Sequence, residues 1–302
     1  MIEKENFCEI KKETREIFLP FYNQNEFGDT TFSLFYAWKD EFHYVYREFG
    51  NVIVILEKNR NGKISCIFLK KDTNLAPVFW EIYQIFQKNN IPFCIKYVSQ
   101  EELNLYMQTL KEIGLYANYF YDKADSDYIY KTKDFLLLDG KENKGKRGKL
   151  NWFYRNYSEV KLIFYEDGKN NLKEDCKKIF ESWCKWHRCE NCVYGCEKKA
   201  FLSFLEVFDV KYHKMAVSYW KEEPLSFAIS EKINSETISY FFQKNSKKIR
   251  GLTYWLNREM ALQHQEVTYI NLGEDMGMQG IRMDKTNLHP YELKKKFLIE
   301  VR

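Results

Sequence analysis

Hydrophobic and polar positions along this chain follow two periods, near 3.6 and near 2, and their order of succession outlines the fold. Residues 29–39 put Phe32, Phe35 and Tyr36 on one helical stripe, with Asp29 or Thr30 expected to cap the first turn. Three strands are predicted next, at 42–49, 52–57 and 64–69, divided by turn signals at Gly50-Asn51 and Asn61-Gly62. A helix over 77–89 has Pro77 in its first turn, where a missing N–H costs nothing, and a strand at 92–98 follows. A helix over 100–113 stops at Gly114, ahead of a strand at 115–121.

Residues 140–149 are rich in Gly and Lys and read as an exposed loop leading into a basic helix. That stretch sets the expected boundary between a domain 1–139 and a domain 140–302. Beyond it the pattern predicts a strand at 160–166, helices at 171–186 and 198–207, and strands at 212–220, 225–233 and 237–243. A helix over 250–263, a strand at 267–272, a helix over 280–287 and a final strand at 296–301 complete the second half. Each half thus runs through three successive strands, helix, strand, helix and strand, without a letter-by-letter repeat. Adjacent strands predict antiparallel meanders, and the later alternation predicts a parallel crossover, so the expected class is α/β with mixed sheets.

Composition narrows the picture. A chain of 302 residues suits two cores, and 45% hydrophobic with 30% charged residues lets each half bury one, which excludes a disordered chain. The net charge of +4 names no polyanionic partner, so any nucleic-acid argument has to be local. No apolar run reaches the roughly 20 residues that span a bilayer. The first residues lack an apolar signal region, and a cytoplasmic chain is expected. Eight irregularly spaced cysteines fit reduced thiols or metal ligands better than a disulfide framework.

Two stretches carry a family resemblance. One is Gly140-Lys141 with Lys146-Arg147-Gly148-Lys149-Leu150-Asn151, Phe153 and Tyr157; the other runs from Tyr269 to Gly277, with Gly280 to Lys285 and His289-Pro290. Together they resemble soluble relatives of the phosphatidylglycerol lysyltransferase C-terminal catalytic domain, over most of the chain from Tyr128 onward and more loosely before it. The resemblance implies two tandem GNAT-like (acyl-CoA N-acyltransferase-like) domains. It also implies transfer of an acyl or aminoacyl group, from a coenzyme A thioester or an aminoacyl-tRNA, to an amine or hydroxyl. The alternative is a non-catalytic protein of the same fold that binds RNA or regulates. Neither reading requires a tightly bound cofactor.

The chemistry-bearing residues follow the topology. Lys247, Lys248, Arg250, Gly251 and Thr253 lie between a strand and a helix, where unpaired amides and the helix dipole favour an anion, so they are the expected donor-binding loop. Gly251→Asp is expected to abolish donor binding and spare the fold. The corresponding place in the first half, 74–78, has Pro77 where an amide is wanted. Glu274 and Asp275 follow the strand at 267–272, at the strand end where open α/β sheets gather ligands, and are the expected catalytic carboxylates. Otherwise they cap the next helix. Arg282 and Lys285 stand ready to hold a phosphate or to pair with those acids.

Lys146, Arg147, Lys149 and Arg155, interleaved with aromatic residues, suit RNA contact, although a charge run is also an ordinary solvated face. Cys184, Cys189, Cys192 and Cys196 are close enough to suggest zinc or an iron–sulfur cluster. Their span is shorter than that of a two-knuckle zinc ribbon, so the expectation is no metal.

Overall fold

The computed structural model describes residues 6–167, 171–187 and 195–302. It divides into two compact units, one of Met1–Tyr128, Gly273–Leu288 and Glu292–Arg302, the other of Ile129–Leu272 and His289–Tyr291. The early elements of the first unit are β1 (Cys8–Glu9), α1 (Arg15–Phe18), α2 (Phe32–Phe42), β2 (Val45–Glu48), β3 (Val52–Lys58), β4 (Ile64–Lys70), α3 (Ala76–Lys88), β5 (Phe93–Val98), α4 (Gln100–Glu112) and β6 (Ala117–Tyr121). The chain passes to the second unit within β7 (Asp127–Lys131). There it forms α5 (Thr132–Leu137), α6 (Lys144–Asn156), β8 (Lys161–Phe164), α7 (Leu172–His187), α8 (Glu197–Val207), β9 (His213–Trp220), β10 (Glu223–Lys232), β11 (Thr237–Asn245), α9 (Leu252–Leu262) and β12 (Tyr269–Asn271). It then returns through α10 (Gln279–Asn287), β13 (Glu292–Lys294) and β14 (Phe297–Val301).

The two meanders form as predicted, because β-branched and aromatic runs meet at short turns. The first sheet runs β1-β2-β3-β4-β5-β14-β6, antiparallel except where β4 meets β5. In the second unit the order is β7-β12-β11-β10-β9-β8, again with one parallel pair, β11 and β12. Each parallel pair encloses a helix, α3 or α9, as a crossover requires. Both units thus repeat one mixed α/β plan.

The last strand goes elsewhere than the pattern suggested. β14 joins the first sheet, between β5 and β6, instead of completing the second half. β7, which sequence periodicity left unassigned, holds the equivalent place beside β12. Strand pairing is nonlocal, so a run of apolar residues does not say which edge it will find. The consequence is that Gly273–Leu288 belongs to the first unit, although it lies far along the chain.

Packing explains the order. Phe79, Phe86, Phe93, Ile95, Tyr106, Leu110, Phe297 and Ile299 share one core in the first unit. α3 presents Val78, Phe79, Ile82, Ile85 and Phe86 to it, and α4 is closed by a capping box of Ser99 and Glu102. The second unit centres on Phe180, Phe201, Phe227 and Phe242, whose ring centroids lie 5.1–6.1 Å apart.

Candidate functional site

Four segments of the first unit bring acids and lysines together. Asp29 sits in the short turn Gly28–Thr30 ahead of α2. It is not the cap of that helix: the helix starts at Phe32, and Thr31 Oγ1 accepts from Leu34 N–H instead. Asp127 opens β7, Glu274 lies in the turn after β12, and Lys296 directly precedes β14. Insertion of β14 between β5 and β6 brings Lys296 to this group.

Lys296 is buried, and its ammonium pairs with Asp29, with Asp127 at 2.6 Å and with Glu274 at 3.3 Å. Burial alone would lower its pKa, but Asp127, Asp29 and Glu274 hold it well above the ordinary lysine value. The carboxylate oxygens of Asp29, Asp127 and Glu274 lie within 4.8 Å of one another, a spacing that could suit a metal ion. Here the Lys296 ammonium already lies among the three and acts as their counterion.

Two further groups are displaced toward each other in pH. Burial, reinforced by Asp29, Asp127 and Asp125 and opposed by Lys296, pushes Glu274 up to about 8. Burial also pushes Lys285, on α10, down to about 8 against the pull of Asp127 and Glu274. Lys285 Nζ donates to the backbone carbonyl of Glu274, which ties the amine on α10 to the loop that carries the acid. With three carboxylates and two lysine amines, the cluster can take up or release a proton near neutral pH.

β5 shapes the same region. Tyr97 has φ +58, a left-handed conformation that is strained for a bulky side chain, opposite the register shift between Phe297 and Ile299. Its ring centroid lies 5.2 Å from the Lys296 ammonium and 4.9 Å from that of Lys96. Lys96 in turn pairs with the buried Glu57 at 2.8 Å.

Asp275, the neighbour of Glu274, is differently placed. It is fully buried and takes a two-pronged bond from Arg282, 2.8 Å from Nε and 2.9 Å from Nη2. It also accepts from the Tyr128 hydroxyl at 2.6 Å and the Gly277 N–H at 2.8 Å. Arg282 and these donors hold its carboxyl down to about 2. Asp275 and Arg282 thus occupy each other, which leaves neither free in this state to take a proton or clamp a phosphate. Their arrangement fixes the turn that carries Glu274.

The expected donor loop belongs to the second unit. Lys247 pairs with Glu223 at 2.9 Å, Lys248 is exposed, Arg250 lies over the Trp152 ring, and Thr253 accepts from Asn245. Gly251 caps α9 with φ +85, and a Cβ there would overlap the Lys149 carbonyl oxygen and press on Phe153 Cβ at 2.9 Å. α6 thus packs directly on this glycine. The expectation that Gly251→Asp spares the fold is therefore corrected: any side chain would have to displace α6.

On α6 itself, Lys146 is buried and donates to Asn143 Oδ1 at 2.6 Å, and burial lowers its pKa to about 8. Arg147 donates to the carbonyls of Leu138 and Gly140, which leaves Lys149 and Arg155 as the exposed members of the basic run. Cys184 lies on α7 and Cys196 caps α8. Cys189 and Cys192 lie outside the described residues.

Sequence reasoning found Glu274 and Lys285 but missed Asp29, Asp127 and Lys296. Asp29 resembled a helix cap, Asp127 stood in an unassigned stretch, and Lys296 read only as the first residue of the final strand. The available signal was Lys296 itself, a lysine placed directly before an apolar strand.

Comparison with known proteins agrees with this architecture. A conserved protein of unknown function from Bacteroides thetaiotaomicron is similar in structure, with TM-score 0.89 and 21% identity over 98% of this chain and 99% of that one. The L-PGS of Bacillus licheniformis is similar with TM-score 0.71 and 16% identity, over 98% and 94%. An uncharacterized protein of Mycoplasmoides gallisepticum is 23% identical over 182 residues, 59% of this chain, so the match spans 57% of that curated relative. Among the described residues no helix is long and apolar enough to cross a membrane. Residues 22–300 match the family described as phosphatidylglycerol lysyltransferase, C-terminal, and the chain belongs to that family.

Proposed function

We propose that the chain is an aminoacyltransferase that accepts an aminoacyl ester, such as an aminoacyl-tRNA, and passes the aminoacyl group to an amine or hydroxyl. The cluster around Lys296 carries this reading. Three carboxylates face two lysine amines, and Glu274 holds a proton to about pH 8. An incoming α-ammonium can replace that proton as the cation facing the carboxylates. An acyl-coenzyme A donor has no such ammonium. The packing of α6 on Gly251 also argues against the glycine loop as its phosphate cradle.

In the reaction, the acceptor nitrogen or oxygen attacks the ester carbonyl, forming the new C–N or C–O bond as the ester C–O bond breaks. Ionised Glu274 takes the acceptor's proton, neutral Lys285 passes it on, and the leaving hydroxyl recovers it. Asp275 and Arg282 hold the turn in place, and Lys296 pairs with Asp29 and Asp127. The test is binding of a non-hydrolysable aminoacyl-tRNA analogue with and without N-acetylation of its amino group. The free-amino form should bind about tenfold more tightly or better, a difference lost in Asp29→Asn. Equal binding of the two forms would sink the reading.

A further inference from the structure

At one end of the first sheet, the edge strand β6 carries Ala117-Asn118-Tyr119-Phe120-Tyr121, with no charge and no proline. Tyr116, Tyr119, Phe120 and Tyr121 are 76%, 53%, 49% and 40% exposed, an unusual density of aromatic surface for a strand of this length. Proteins ordinarily protect such edges with lysine, proline or a bulge.

The backbone is arranged for pairing. The Arg302 N–H bonds the Tyr116 carbonyl, and β14 aligns Glu300 with Asn118 and Leu298 with Phe120. By antiparallel alternation, the amides and carbonyls of Asn118 and Phe120 then point to β14, and those of Ala117, Tyr119 and Tyr121 point outward. The side chains follow the same logic. Val301, Ile299 and Phe297 form a core row, and their partners Ala117, Tyr119 and Tyr121 extend it past the point where the core is covered. Tyr119 and Tyr121 pack on Phe297 with ring centroids 5.9 and 5.7 Å away, yet stay exposed.

We propose that β6 pairs antiparallel with β6 of a second copy of this chain, centred on Tyr119, joining the two first sheets into one. The register is self-complementary. Tyr119 faces its own copy, Ala117 faces Tyr121 and Asn118 faces Phe120, so no like charges meet. The outward amides and carbonyls of Ala117, Tyr119 and Tyr121 supply the hydrogen bonds, and the exposed tyrosines complete each other's unfinished row.

The experiment is sedimentation of the full chain over a range of concentrations, with amide hydrogen exchange of β6 followed alongside. A dimer should form as concentration rises, and the amides of Ala117, Tyr119 and Tyr121 should gain protection in step. Tyr119→Lys sets two lysines opposite each other and should raise the dimer dissociation constant at least about tenfold. Because Tyr119 is half exposed and touches the core only through Phe297, the melting temperature at low concentration should fall by no more than a few degrees. Tyr119→Pro removes an outward N–H together with the ring that rests on Phe297 and should weaken the dimer likewise. A wild type that stays monomeric with fast-exchanging edge amides would overturn the proposal. So would a dimer indifferent to both substitutions, or protection of the edge that appears only when an extended peptide or RNA is added.

Discussion

Replacing Glu274 by Gln separates the chemistry of the cluster from its stability. Folded Glu274 keeps its proton to about pH 8, against an ordinary 4.5, so between those values the folded chain holds a proton that the unfolded chain has released. Stability therefore falls as pH rises from 4.5 to about 8, and above 8 the fold bears the full cost of an enclosed charge. At about 1.4 kcal/mol per pH unit, the interval corresponds to about 5 kcal/mol. The side chain keeps 26% of its surface open. Solvent screening then leaves about half of that, ~2–3 kcal/mol. Lys285 acts in the opposite sense: lowered from 10.5 to about 8, it makes the unfolded chain the better proton binder between those values, so stability recovers there. The wild type should thus pass through a stability minimum near pH 8, and Glu274→Gln should lack the falling limb. Thermal melts should coincide near pH 5, and at pH 9 the Gln variant should melt about 3–5 °C higher. Parallel curves, or a Gln variant that is less stable at pH 9, would refute the assignment of a raised carboxyl pKa.

Lys296→Met should cost about 3–5 kcal/mol at pH 8, because it strands three carboxylates around a missing counterion. Melts at lower pH should show a smaller loss, and added Mn²⁺ should stabilise the variant more than the wild type. Gly251→Ala should lower stability by about 2–4 kcal/mol through its positive φ and its overlap with α6, measurable by urea titration. Asp275→Asn should cost about 2 kcal/mol at neutral pH. The contribution of Asp275 is present above the ordinary 3.8 and is lost as pH falls toward about 2, so variant and wild type should converge in acid.

Local pattern reached the elements and stopped short of their partners. The meanders and the crossover helices α3 and α9 were legible because their apolar periods are strong and most of the meander turns are marked by Gly or Asn, the Lys221-Glu222 turn being the exception. The destination of β14 was not, since residues 297–301 would suit any half-covered edge. That single ambiguity also hid the site. Glu274 and Lys285 stand in one conspicuous stretch, whereas Asp29, Asp127 and Lys296 come from segments up to 267 residues apart and meet only through the strand exchange. Asp275 looked as reactive as Glu274 in sequence. Only geometry distinguishes the acid saturated by Arg282, Tyr128 and Gly277 from the neighbour whose carboxyl is pushed up by burial.

The most direct test follows the label of an isotopically marked aminoacyl-tRNA into any new amine- or hydroxyl-linked product, as a function of pH. On this mechanism the rate rises through about pH 8 as Glu274 and Lys285 lose their protons, with the rise abolished in Glu274→Gln and Lys285→Met and no transfer from coenzyme A thioesters. Undiminished transfer by Glu274→Gln, or label delivered from the thioester in place of the tRNA, would contradict it.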